Sequence, residues 1–127
     1  MNNVLIIDDE PDIRELLDIT LSRMGLKTLC ADCVSAATQL LKEHMFVLCL
    51  TDMKLADGEG LEVIHYIQQH CPQTPVAMIT AFGSIETAIA ALKAGAFDFV
   101  SKPINLDQLR DLVSTAIKLT GTTEHVK

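Results

Sequence analysis

The chain has 127 residues, of which 49% are hydrophobic and 21% are charged, a balance that is typical of one compact globular domain and excludes a disordered chain. Ten basic residues against seventeen acidic ones give a net charge of −7, and lysine and arginine form no run, which argues against direct binding to nucleic acid or to an anionic membrane. The apolar runs are of strand length and no basic segment precedes the first one, so we expect neither a membrane span nor a signal peptide, and a cytoplasmic protein.

Strand-like and helix-like segments alternate five times along the chain. The first strand is a continuous apolar run at 3–8, as expected of a parallel strand that is buried on both faces. The helix after it carries apolar residues at helical spacing from Ile13 to Met24 and ends at Gly25, a residue that suits the position just behind a helix.

The second and third units repeat this pattern. A strand at 27–31 precedes a helix that runs through Leu41, and a strand at 46–52 precedes a helix from about Leu61 to His70. The strands are again largely apolar, and the helices again carry an apolar stripe.

The fourth unit has a strand at 76–80 and a helix that we predict to begin at Ser84 and to end at Gly95. Four apolar residues recur at helical spacing along this helix. They are Ile85, Ala88, Ile89 and Leu92.

The fifth unit has a strand at 97–101, followed by a helix whose apolar stripe ends near Leu119. Asn105, with Gln108 three residues later, resembles a capping box and predicts where this last helix begins.

Five β–α units predict an α/β fold. Because crossovers between parallel strands are right-handed, the expected architecture is a (βα)₅ doubly wound five-stranded parallel sheet with helices on both faces, flavodoxin-like, with strand order 2-1-3-4-5. In such a sheet, ligands bind beyond the carboxyl ends of the strands.

The cysteines include one CxxC motif, formed by Cys30 and Cys33. A CxxC can be a redox pair or half of a zinc site. No second CxxC or Cys/His pair completes a zinc site here, and Cys49 lies in an apolar strand where a small buried thiol is ordinary.

Chemically capable side chains follow four of the five predicted strands. Each one alone has an ordinary explanation as a turn residue, a strand-end hydroxyl or a solvated charge. Their convergence on one edge of the sheet is what a functional site requires. They are Asp8 and Asp9, Asp52, Thr80 and Lys102.

The acidic run Asp8-Asp9-Glu10 has two explanations, because adjacent carboxylates repel one another unless a cation or hydrogen bonds stabilise them. Asp9 before Glu10 and Pro11 could cap a helix. Alternatively, Asp8, Asp9 and Asp52 together form a site of hard oxygen ligands suited to Mg²⁺.

Lys102 and Thr80 would add a positive charge and a hydroxyl donor beside such a metal, an arrangement that binds phosphate. A carboxylate next to Mg²⁺ can attack phosphorus. The product would be an aspartyl phosphate.

Residues 3–119 resemble the receiver domain of two-component response regulators. The stretch from Thr80 to Pro103 is further similar to the NtrC-like branch, whose receivers precede a sigma-54-activating ATPase, and in particular to a regulator of pili. The motifs that carry the resemblance are Asp8-Asp9-Glu10, Asp52 followed by MKLADGEG, Thr80-Ala81 and Lys102-Pro103.

The resemblance implies that Asp52 is the phosphoacceptor and that Thr80 and Lys102 assist the transfer. It also implies a Mg²⁺ cofactor. The implied metal ligands are Asp8, Asp9, Asp52 and the carbonyl of Lys54.

Thr80 and Phe99 become a switch pair by the same resemblance, the ring of Phe99 alternating between exposed and inward positions. The alternative is an aromatic residue that simply packs. Ala56 stands where the family usually has proline, and Glu59 where Asp or a small residue is commoner; these departures bear on loop rigidity and phosphate lifetime, not on the chemistry.

The implied function is a switch and not an enzyme, with a sensor histidine kinase as partner. Residues 1–120 would be the receiver domain and 121–127 a tail or the start of a linker to an output domain, since the chain has no Walker A loop and no helix-turn-helix of its own. Phosphorylation would promote a homodimer through the fourth helix, fifth strand and fifth helix.

Three rivals remain open. A haloacid-dehalogenase-like Mg²⁺-dependent phosphatase also forms an aspartyl phosphate, but it requires D-x-D after the first strand. Flavodoxin-like cofactor binding needs a hydroxyl- and glycine-rich loop where this chain is acidic. A degenerate receiver that docks without phosphorylation would not need all five key positions filled.

Overall fold

The computed structural model describes residues 3–81 and 85–125, with the side chains described as far as residue 119. The predicted helix start at Ser84 lies outside the described residues. The strands of the main sheet are β1 (Asn3–Ile7), β2 (Lys27–Ala31), β3 (Leu48–Asp52), β4 (Val76–Thr80) and β5 (Asp98–Ser101). The helices are α1 (Pro11–Arg23), α2 (Val34–Glu43), α3 (Gly60–His70), α4 (Ile85–Ala94) and α5 (Leu106–His125).

The five strands form one parallel sheet in the order β2-β1-β3-β4-β5. The predicted strand order and the doubly wound α/β fold are therefore confirmed. Asp52 lies opposite Ile79, and Thr80 lies opposite Ser101, so the carboxyl ends of neighbouring strands form one edge.

Two apolar clusters cover the two faces of the sheet. Alternate side chains of β1 enter each cluster: Leu5 and Ile7 join the one that contains α2, α3 and α4, while Val4 and Ile6 join the one that contains α1 and α5. Each such fully buried aliphatic side chain stabilises the fold by about 1.5–3 kcal/mol relative to exposure. The helices are thereby fixed on both sides of the sheet.

The helix α4 buries one residue of its predicted apolar stripe, Ala88, and exposes the other three. Ala88 and Ala91 face the core, while Ile85, Ile89 and Leu92 are exposed by 72%, 47% and 42%. Small alanine side chains let the helix approach its neighbours closely, and the larger aliphatic residues are left on the surface.

The helix ends are partly as predicted. Helix α1 ends before Gly25, which has a φ of 84°, and Asn105 Oδ1 accepts the Gln108 N–H at 2.9 Å. Helix α5 continues to His125, beyond the end of its apolar stripe near Leu119. The division between receiver domain and tail stays a prediction.

The four cysteines are free thiols, and Cys33 is the N-cap residue of α2. Cys49 is fully buried, and burial raises the pKa of its thiol. Among the described residues, no helix is both long enough and apolar enough to cross a membrane.

Candidate functional site

Four carboxylates meet at the carboxyl ends of β1 and β3. One oxygen from each lies within 4.8 Å of the others. Because β1 and β3 are adjacent parallel strands, the chain that leaves β1 and the last residue of β3 are brought side by side. This carboxylate cluster consists of Asp8, Asp9, Glu10 and Asp52.

Asp8 is the most deeply buried member of the cluster. Its Oδ1 accepts the Glu10 N–H at 2.9 Å, but the buried Oδ2 makes no hydrogen bond to any described residue. Lys102 Nζ lies 3.3 Å from that oxygen and forms an ion pair with it. Burial above all, and then the charge of Asp52, raise the pKa of Asp8, while the Glu10 N–H and Lys102 oppose the rise.

Lys102 is the cation of the site. Its Nζ donates to Glu10 Oε1 at 2.6 Å and to Asp52 Oδ2 at 3.3 Å. Burial disfavours the ammonium, but the hydrogen bond to Glu10 and the charges of Asp8 and Asp52 outweigh burial and raise the pKa of Lys102. One ammonium thus faces three carboxylates and leaves the site with an excess of negative charge.

The backbone around Asp52 is held closely. Asp52 Oδ1 accepts the Met53 N–H at 2.7 Å, and the Gly60 N–H donates to the Met53 carbonyl at 2.6 Å. A Cβ at Gly60 would overlap the carbonyl oxygen of Asp52, so only glycine allows α3 to begin this close to Asp52.

Thr80 and Phe99 lie on the neighbouring strands. Thr80 is buried at the end of β4, and its carbonyl accepts the Lys102 N–H at 2.8 Å, which joins the end of β4 to Lys102. Phe99 on β5 is half-buried and packs against the core cluster that contains Ala91 of α4. The packing of Phe99 is thus observed, and its role in switching stays a prediction.

The donors at this edge fit Mg²⁺. They are hard carboxylate oxygens, and one of them is buried without a hydrogen bond to any residue that the structure describes. A divalent cation would offset their mutual repulsion. Lys54 begins a hairpin, Lys54–Leu55 against Gly58–Glu59, which we call the 54–59 hairpin and which starts two residues beyond Asp52. Coordination by the Lys54 carbonyl stays a prediction.

The structure therefore brings Asp8, Asp9, Asp52 and Lys102 together and places Thr80 beside them. The helix-cap explanation for Asp9 is wrong, because the N-cap residue of α1 is Glu10, whose side chain makes no capping bond. The functional roles assigned to these residues stay predictions.

Sequence reasoning missed three features of the site. Glu10 was seen as part of an acidic run, but its close contact with Lys102 joins residues 92 positions apart. The close contact of Gly60 with Asp52 was also missed, since the glycine itself is the only sign of it in the sequence. Asp57 in the 54–59 hairpin bonds to the start of α2 and carried no signal in the sequence.

A family model described as the response regulator receiver domain matches residues 4–114. The chain is 64% identical over 115 residues to the response regulator protein PilR of Pseudomonas aeruginosa, covering 91% of this chain and 26% of that protein. It is 32% identical over 127 residues to the regulatory protein AtoC of Escherichia coli, covering 100% of this chain and 28% of that protein. The chain thus spans about a quarter of the length of these relatives.

Solved structures agree with this relationship. The receiver domain of NtrX from Brucella abortus matches with a TM-score of 0.86 at 34% identity, over 91% of this chain and 98% of that one. The beryllofluoride-activated NtrC4 receiver domain dimer matches with a TM-score of 0.87 at 31% identity, over 93% and 98%. The relatives named here are regulators of the NtrC-like type, and the haloacid-dehalogenase alternative finds no support among the matches. This chain belongs to the response regulator receiver domain family.

Proposed function

We propose that this chain accepts a phosphoryl group on the carboxylate of Asp52 from a phosphohistidine of a sensor kinase, in the cytoplasm, and so switches an output. The observation that carries the proposal is the arrangement at the sheet edge. Among the described residues, a cluster of four carboxylates, in which the buried Asp8 Oδ2 has no hydrogen-bond partner, faces the ammonium of Lys102. That ammonium lies 3.3 Å from Asp8 Oδ2 and 3.3 Å from Asp52 Oδ2.

Asp52 would act as the nucleophile. Its Oδ1 is held by the Met53 N–H, which leaves Oδ2 to attack phosphorus while the bond between phosphorus and the imidazole nitrogen breaks and the imidazole departs. The ammonium of Lys102, 3.3 Å from Asp52 Oδ2, would stabilise charge on the phosphoryl oxygens.

Asp8, Asp9 and Asp52 would hold Mg²⁺, with the Lys54 carbonyl as a further ligand. The ion, when bound, neutralises negative charge on the entering phosphoryl group. The acidic side chains alone would repel that group, which is why we expect uptake to require the metal.

Thr80 would transmit the change. Its hydroxyl can bond the new phosphoryl group if the end of β4 moves toward Asp52, and Phe99 on β5 would then turn inward. The exposed apolar residues of α4, Ile85, Ile89 and Leu92, support the face of α4, β5 and α5 as the surface that changes and forms a homodimer.

The partners follow from the relatives. We propose an output domain of the sigma-54-type ATPase class outside residues 1–120, with 121–127 as the tail or the start of the linker. The relatives that match are about four times as long as the segment they share with this chain. Their names describe regulatory proteins, which supports control of transcription as the output.

The test is the intact mass of the chain after incubation with a small phosphodonor, with and without Mg²⁺. We expect one phosphoryl group to be gained with Mg²⁺, none by Asp52→Asn, and a normal gain by the control Asp111→Asn, which changes an exposed aspartate on α5. Normal uptake by Asp52→Asn would refute the proposal. Sustained donor turnover beyond a single loading would instead support the phosphatase.

A further inference from the structure

Asp57, at the turn of the 54–59 hairpin, caps a helix that begins 23 residues earlier. Its Oδ1 accepts the Val34 N–H at 2.7 Å and its Oδ2 accepts the Ser35 N–H at 3.0 Å. These are the first N–H groups of α2, which have no partner within the helix. The next one, that of Ala36, is bonded to the sulfur of Cys33 at 3.4 Å. The start of α2 is therefore capped jointly by its own N-cap residue and by Asp57.

Electrostatics favour the same contact. The amino end of a helix carries partial positive charge and attracts an anion. The hydrogen bonds from Val34 and Ser35 lower the pKa of Asp57, so the side chain is ionised at neutral pH. Because Asp57 is exposed, its position is set by these directed bonds and not by burial.

The hairpin that Asp57 holds also borders the carboxylate cluster. Lys54 pairs with Glu59 and Leu55 with Gly58, which leaves Ala56 and Asp57 as the turn. Leu55 is buried in the core and fixes the middle of the hairpin. The other strand is held at Glu59, whose N–H donates to Glu62 Oε2 at 2.9 Å. Ala56 and Asp57 between these two anchors are exposed, and the bonds of Asp57 to α2 hold the turn that they form.

We propose that Asp57 is a positioning residue for the metal site. By capping α2 it fixes the 54–59 hairpin, and with it the backbone at Lys54, in the geometry in which Asp52 and its neighbours bind Mg²⁺. The identity of the metal and of its ligands rests on the proposed function. Groups that orient metal ligands without touching the metal change its affinity by about 10–100-fold, and Asp57, acting through the backbone, belongs at the low end.

The experiment measures the Kd for Mg²⁺ by amide chemical-shift titration of the 127-residue chain. Asp57→Ala should raise that Kd by about tenfold, and Asp57→Asn, which keeps one acceptor oxygen, should raise it less. The Mg²⁺-dependent shifts of the Val34 and Ser35 amides should shrink in Asp57→Ala.

Thr74→Val is the matched control for a general loss of stability. Thr74 is buried at the opposite end of the sheet, where its hydroxyl donates to the Phe46 carbonyl at 3.3 Å. This variant should lower the Tm and leave the Kd for Mg²⁺ at the parent value.

Two results would overturn the proposal while leaving the proposed function intact. One is a lower Tm with an unchanged Kd in Asp57→Ala, which would make Asp57 a helix cap alone. The other is an equal rise of the Kd in Thr74→Val, which would trace the effect to stability. A parent chain that binds no Mg²⁺ would overturn both proposals, and this outcome is visible before any variant is compared.

Discussion

The two ends of the sheet differ in how their buried polar groups are paired. At the amino ends of the strands, the buried hydroxyl of Thr74 donates to the Phe46 carbonyl. At the carboxyl ends, Asp8 is fully buried, and one of its oxygens accepts no hydrogen bond within residues 3–81 and 85–119. Lys102 forms ion pairs with three carboxylates there. A bonded polar group contributes to stability, whereas excess buried charge costs stability. Stability does not explain this arrangement at the carboxyl ends of the strands, whereas the proposed phosphoryl transfer does.

The largest effect that would sharpen this comparison is expected from Lys102→Met. The loss of one preorganised group that stabilises charge in the transition state lowers a reaction rate by about 100-fold or more. Phosphoryl uptake by Lys102→Met should therefore slow by about that factor. The matched control is Lys42→Met, which changes a lysine in the last turn of α2, at the other end of the sheet, and should leave the rate unchanged. Time courses of intact mass measure both. Equal rates in Lys102→Met and the parent would break the comparison.

Asp8→Asn should change the response of stability to Mg²⁺ and to pH. A carboxyl whose pKa is raised above its ordinary 3.8 stabilises the fold below that value and loses this contribution as the pH rises through its folded pKa. Without metal at neutral pH, ionised Asp8 is therefore unfavourable, and Asp8→Asn should be about 1 kcal/mol more stable than the parent. The difference should vanish in acid.

With Mg²⁺ the order should reverse. At 100 times its Kd, a ligand stabilises the parent by about 2.7 kcal/mol, and the variant should gain much less. Urea unfolding with and without Mg²⁺ across a pH series measures both effects, with Asp111→Asn as the control. The unfolding free energies of the parent and of Asp8→Asn should change by different amounts between neutral and acid pH. Equal changes in the two proteins would contradict the role of Asp8.

The smallest chemical effect is expected from Thr80→Ala, which should still take up phosphate but fail to switch. The variant lacks the hydroxyl that would hydrogen-bond to the phosphoryl group, but it keeps Lys102 and Asp52. Amide exchange of α4, measured before and after phosphorylation, should change in the parent and not in the variant; Thr74→Ala is the control at the other end. An equally large change in Thr80→Ala would remove the proposed coupling.

Most of the fold could be predicted because periodicity and helix-ending residues agree along the chain. The bounds predicted for β2 and β4 match the structure at both ends. The buried face of α4 could not be predicted, since helical spacing defines a stripe but does not say whether the isoleucines or the alanines meet the sheet. Helix α5 extends past Gly121, where local propensity favoured an end.

The site could be predicted as far as backbone topology determines it. The carboxyl ends of parallel strands form one edge, so Asp8, Asp52 and Lys102 were expected at the same edge once the sheet was inferred. Because β4 lies between β3 and β5, the contact of Lys102 with Asp52 also depends on the length and direction of the lysine side chain. The bond from Lys102 to Glu10 and the capping of α2 by Asp57 depend on side-chain direction between distant segments, which periodicity does not encode.

The most direct test of the central claim is to identify the phosphorylated residue itself. Borohydride reduction converts an aspartyl phosphate into homoserine, which peptide mapping locates after incubation with phosphodonor and Mg²⁺. We predict homoserine at position 52 alone, and only in the sample that contained Mg²⁺. Homoserine at position 8 or 9 with Asp52 unmodified, or equal labelling of Asp52 without Mg²⁺, would contradict the account.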